Sequence, residues 1–104
     1  MDTFENTSPP EEQIQKVWEK ATLVSGNDSN DFRKDQCGAW IARKQYGNRK
    51  SSYGWEIDHI TPESKGGKDD LSNLRPLQWE NNMSKLDGRL VCVVTSKNTE
   101  NVKK

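Results

Sequence analysis

The chain contains a single histidine, His59, and it stands directly after an aspartate, Asp58. A Pro/Gly-rich loop follows, then Asn73, then a stretch that carries Asn82 and Lys85. An imidazole titrates near pH 6.5 when nothing perturbs it, so in neutral solution it can take a proton from water. An aspartate and an asparagine offer two hard oxygen donors, the kind that suits Mg²⁺, with Mn²⁺ as second choice. Magnesium keeps several waters, so two protein ligands suffice. Together these groups have the parts for phosphodiester hydrolysis: a base for the attacking water, and a metal ion to stabilise the departing oxygen. A lone histidine is more often an ordinary polar residue. Its company is what makes this one a candidate.

The segment in question reads YGWEIDHITPESKGGKDDLSNLRPLQWENNMSK, Tyr53 to Lys85. It resembles the HNH nucleases, also called the ββα-metal or His-Me finger group, through D-H-I-x-P-x-S-x-G-G, then N-L-x-x-L, then N-x-x-K. His59 and Asn73 are 14 positions apart and Asn73 and Asn82 are 9 apart, as in the variant that ends on asparagine. The resemblance implies Asp58 and Asn82 as metal ligands and His59 as general base. It also implies that Asn73 orients His59 by pinning the loop backbone, and that Lys85 contacts a phosphate. Cleavage of DNA leaving a 5′-phosphate follows from the same source. Many relatives carry zinc-binding cysteines, whereas the residues before the last motif are here Gln78-Trp79-Glu80-Asn81. No structural zinc is expected, and Mg²⁺ is preferred over Zn²⁺. The competing readings are a nucleic-acid-binding module that keeps the fold without catalysis, and a fold reused for protein contact through residues 1–31.

These residues need elements to position them. Ser8 reads as the N-cap of a helix that opens on Pro9, Pro10, Glu11 and Glu12, where the helix dipole favours acidic groups. Ile14, Val17, Trp18 and Ala21 form its apolar stripe, and Ser25-Gly26-Asn27-Asp28 ends it. A strand is expected around Ala39–Ala42, followed by a basic loop over 47–52. Trp55, Ile57 and His59 alternate with Gly54, Glu56 and Asp58, which predicts a strand over 53–60. Residues 61–72 read as loop and Leu74–Leu77 as a short strand edged by Pro76. A helix is expected over 78–86 with Trp79, Met83 and Leu86 buried and Asn82 at the edge of that stripe. Asn81 beside it reads as exposed. Residues 89–95 read as strand. The predicted class is α+β: a ββα-metal unit with a small antiparallel sheet and an extra N-terminal helix.

With 104 residues, 30% of them hydrophobic and 31% charged, there is room for one domain with a thin core. Residues 1–8 are expected to be disordered, 9–96 to form the domain and 97–104 a polar tail. Four tryptophans suit a single core cluster. Net charge is zero, but residues 1–31 hold seven acidic and two basic side chains, and residues 32–104 hold nine and fourteen. An acidic arm and a basic body are compatible with DNA as partner. Arg43, Lys44, Arg49 and Lys50 are candidate backbone contacts. The single histidine and two cysteines, 55 positions apart, exclude a zinc finger. Two cysteines so spaced leave a single disulfide open, but reduced thiols, a cytoplasmic location, a monomer and no membrane association are the expectations.

Overall fold

A computed structural model describes residues 9–104. Residues 1–8, with the expected disorder and the Ser8 cap, lie outside the described residues. The element order is α1 (Glu11–Trp18), β1 (Phe32–Lys34), β2 (Trp40–Ala42), β3 (Trp55–His59), β4 (Leu74–Gln78), α2 (Trp79–Met83), β5 (Val94–Lys97) and β6 (Glu100–Lys103). Short 3-10 turns cover Arg43–Gln45, Glu63–Lys65 and Leu71–Asn73. The strands pair antiparallel as β1–β2, β3–β4 and β5–β6, so the α+β class holds and the small sheet is three separate ladders.

Helix α1 starts after Pro10, whose fixed φ suits a helix start, and it ends at Trp18 rather than near residue 25. It lays Ile14, Val17 and Trp18 onto Ile41, Trp55 and Leu74. Trp18 and Trp55 meet at 5.3 Å between ring centroids, and Tyr46 packs edge-on to Trp55 at 5.0 Å. The other two tryptophans are elsewhere: Trp40 neighbours Phe32, and Trp79 lies under Arg49. The single tryptophan cluster is therefore corrected to a Trp18–Trp55 pair and two outlying rings.

The strand expected near residue 40 is the second arm of a hairpin. Asp35 at its turn is buried and accepts hydrogen bonds from the Cys37 and Ala39 amides, both at 2.9 Å. Helix α2 is shorter than its apolar spacing suggested. Gln78 caps it by accepting from the Glu80 and Asn81 amides. Beyond Met83 the chain leaves the helix and turns back through Asp87 and Gly88, both at positive φ, to bridge Leu86 with Arg89. Met83 and Leu86 are consequently 59% and 57% exposed. The residue that α2 buries is Asn81. The expected strand over 89–95 forms only from Val94, and residues 100–103, read as tail, pair with it as β6.

Cys37 and Cys92 form a disulfide with a Cα–Cα separation of 5.5 Å, which corrects the expectation of reduced thiols. Asn81 on α2 bonds both Asp35 in the β1–β2 turn and the Val93 and Val94 amides beside Cys92, and the disulfide staples the two segments. Disulfides are rare in reducing compartments, so the thiol argument for a cytoplasmic location falls away. Closing a loop of 55 residues restricts the unfolded chain, and the cost of losing the bond is about 2–4 kcal/mol. Urea unfolding of the Cys37→Ser, Cys92→Ser double variant is expected to show that loss; an unchanged midpoint would mean the staple adds nothing. Among the described residues, no helix is long and apolar enough to cross a membrane.

Candidate active site

Strand β3 delivers Asp58 and His59 to its C-terminal end, with Asp58 opposite Arg75 and His59 opposite Leu74 on β4. The loop between the two strands is held by Asn73. Its Oδ1 accepts from the Thr61 amide at 2.8 Å, and its Nδ2 donates to the carbonyls of Thr61 (3.1 Å) and Lys68 (2.8 Å). The Ile60 amide donates to the Asn73 carbonyl at 2.8 Å, extending the β3–β4 pairing by one step. One asparagine thus ties both ends of the loop that starts beside His59. The loop could not close around a larger residue at position 67. A Cβ there would lie 1.7 Å from the Thr61 carbonyl oxygen, so glycine is required.

His59 Nε2 lies 2.6 Å from Asp69 Oδ1, a contact that orients the ring. The side chains of His59, Glu63 and Asp69 place their ligand atoms within 4.8 Å of one another. Asp58 has other partners. Its carboxylate is almost fully buried and accepts from Arg75 Nε at 2.7 Å and from the Lys85 ammonium. Lys85 also donates to the His59 carbonyl at 3.2 Å. Among the described residues, Asp58 and His59 therefore stand side by side but have no side-chain partner in common.

Asn82 faces β3 rather than bulk water, and its Nδ2 donates to Glu56 Oε1 at 2.8 Å. Glu56 lies two residues before Asp58 on the same strand and so on the same face. Arg49 closes this corner with two bonds to Glu56, at 2.6 and 2.9 Å. Partial burial pushes the Glu56 carboxyl up, but the hydrogen bonds from Arg49 and Asn82 and the Arg49 charge together hold it below its ordinary range. A carboxyl held low in the fold stabilises it at and above the ordinary glutamate pKa. That contribution disappears as pH falls through the depressed value. The stability gap between the protein and its Glu56→Gln variant is thus expected to narrow below about pH 4, read by denaturant titrations from pH 3 to 7. A gap that stays constant across that range would contradict the assignment.

Of the basic residues, Arg43 is occupied. It bonds Gln15 Oε1 at 2.9 Å, pairs with Glu11 and lies 6.0 Å from the Trp55 ring centroid, so it docks α1. Arg49 is spent on Glu56. Lys44 and Lys50 are exposed. Four residues near the site escaped the sequence reading: Glu56, Glu63, Asp69 and Arg75. Glu56 had a signal, since period-two alternation puts it on the Asp58 face. Arg75 needed the β3–β4 register, and Glu63 and Asp69 needed the path of the loop.

A histidine at the end of one strand, a clamped loop, a paired strand and a helix folded back over the first strand define a ββα unit. Residues 37–84 match the family model for HNH endonuclease. The match includes Asp58, His59, Asn73 and Asn82. No curated protein and no solved structure matches the chain significantly.

Proposed function

We propose that this protein is a metal-dependent endonuclease that hydrolyses phosphodiester bonds in DNA, with His59 as general base. The observation that carries the reading is the Asn73 clamp on the loop beside His59, inside a stretch that matches the HNH family. A base works only if its ring is held against the attacking water, and the clamp together with Asp69 supplies that restraint. His59 takes the proton from water, and its contact with Asp69 stabilises the imidazolium that results. The exposed Lys44 and Lys50 supply positive charge for the DNA backbone, and Lys85 would join them only on leaving Asp58.

HNH nucleases use divalent metals, and the oxygen donors of Asp58 and Asn82 suit Mg²⁺ or Mn²⁺. The ion would stabilise charge on the leaving oxygen. Both Asp58 oxygens are engaged by protein cations, so an ion held there must displace the Lys85 ammonium. The same pairing favours a second reading: a DNA-binding module that keeps the HNH fold and fills the metal position with lysine. Product chemistry separates the two. Incubation with supercoiled plasmid and Mg²⁺ is expected to give nicks that DNA ligase reseals, which requires a 5′-phosphate beside a 3′-hydroxyl. Plasmid that is bound but left covalently closed would select the module.

A further inference from the structure

We propose that the β1–β2 hairpin carries a second nucleic-acid site, a pocket that stacks one unpaired base of the DNA strand. It rests on the nucleic-acid reading above and shares Lys44 and Lys50 with it, but its lining includes neither His59 nor Asp58, Asn73 or Asn82. The pocket is a cavity of about 170 Å³ lined by Asn27, Phe32, Trp40, Tyr53 and Thr99. That is room for roughly five or six liquid waters, which suits one planar heterocycle and not a drug-sized ligand.

Three of its five lining residues are aromatic. Phe32 stands at 87° to Trp40 and 80° to Tyr53, with centroids 6.4 and 6.0 Å away. The polar ends of two rings are already spent. Trp40 Nε1 donates to the Asn98 carbonyl at 2.7 Å, and the Tyr53 hydroxyl donates to the Thr99 carbonyl at 3.0 Å. Both bonds run to the β5–β6 turn, so the rings are fixed before any ligand arrives. Phe32 is 39% exposed, an unusual position for a phenylalanine in so thin a core, and it forms the open wall. The Asn27 amide adds a donor and an acceptor for a base edge.

Charge on the pocket's elements favours a nucleotide over a neutral heterocycle. The Lys34 ammonium lies 4.7 Å from the Trp40 ring centroid. Lys44, two residues after β2, and Lys50, three residues before Tyr53, are exposed. Asp28 and Asp31 lie in the loop that supplies Asn27, so the cations come from the strands and the loop after them. Tyr53 is six residues before His59, no more than about 20 Å along an extended chain at ~3.3 Å per residue. A strand crossing from the scissile bond to the pocket therefore spans only a few nucleotides. Base–aromatic stacking of this kind tolerates any sequence, because every base has a π-face.

The test compares binding of a fluorescein-labelled 12-mer of thymidylate with a 12-mer of the same length carrying abasic sites, in EDTA so that neither is cut. The protein is expected to prefer the base-bearing strand by about fivefold or more, with quenching of tryptophan fluorescence. Phe32→Ala should lose that preference while its affinity for the abasic strand stays the same, and Phe32→Trp should retain it. Equal affinity for the two strands would overturn the proposal, as would tetramethylammonium displacing the thymidylate strand, which would mark a cation cage. Plasmid nicking is read in parallel. Nicking with no base preference removes the pocket and leaves the nuclease standing, whereas loss of both nicking and DNA binding removes both.

Discussion

Replacing His59 by alanine is expected to slow plasmid nicking by about 10²- to 10⁴-fold, the usual contribution of a positioned general base. The fold should barely notice. The imidazole is partly exposed, and its side-chain partner is the exposed Asp69 carboxylate. Exposed pairs of this sort contribute between zero and about 1 kcal/mol. His59→Ala should therefore melt within a few degrees of the parent and bind DNA with similar affinity while cutting it poorly. His59→Ala with parental activity would remove His59 from the chemistry.

The largest expected loss of stability comes from Asn81→Ala. The Asn81 side chain is completely buried and joins three parts of the chain. Its Nδ2 donates to Asp35 Oδ2 at 3.1 Å and to the Val94 carbonyl at 3.0 Å. Its Oδ1 accepts from the amides of Val93 at 2.8 Å and Val94 at 2.9 Å. Truncation strands two amides, one carbonyl and part of a buried carboxylate, and each orphaned group costs about 1–3 kcal/mol. Relaxation and entering water recover some of that, so a net loss of about 4 kcal/mol is expected. Domains of this size have about 5–15 kcal/mol in total and shift by about 4–8 °C per kcal/mol, which puts the melting point lower by roughly 15–30 °C. Lys44→Ala, at an exposed position, serves as the control and should fall within about 0.5 kcal/mol of the parent. Thermal unfolding followed by circular dichroism reads both. An Asn81→Ala protein as stable as its control would show that α2 is seated by something else.

The contrast between Asn81 and Asn82 shows what could be read from the sequence. Asn82 does face β3, through its bond to Glu56, although the Trp79, Met83 and Leu86 stripe from which helical angles placed it is not the buried one. Asn81 was read as exposed because its partners, Asp35 and the start of β5, lie 46 and 13 positions away. No local pattern encodes such a meeting. The same limit explains Met83 and Leu86. Their spacing continues a helical stripe, but the Gln78 cap, the Asp87-Gly88 turn and the Asn81 network fix a shorter helix. Strands β3 and β4 were legible because alternation and turn residues mark them locally. The loop-pinning Asn73 came from the resemblance to the HNH motif, since read by itself it is an ordinary loop residue. The partners of Asp58 were not legible, since Arg75 and Lys85 reach it from a facing strand and from the turn after α2. The disulfide was equally hidden, because two cysteines 55 positions apart give no sign of whether they meet.

On the proposed reading, hydrolysis at the end of β3 needs both a divalent ion and the imidazole at position 59. Conversion of supercoiled plasmid to open circles tests it most directly, with parent and His59→Ala proteins purified side by side and assayed in Mg²⁺, in Mn²⁺ and in EDTA. Open circles are expected only with the parent protein and only with an ion present. Nicking of equal rate by both proteins, or nicking by the parent that persists in EDTA, would contradict it.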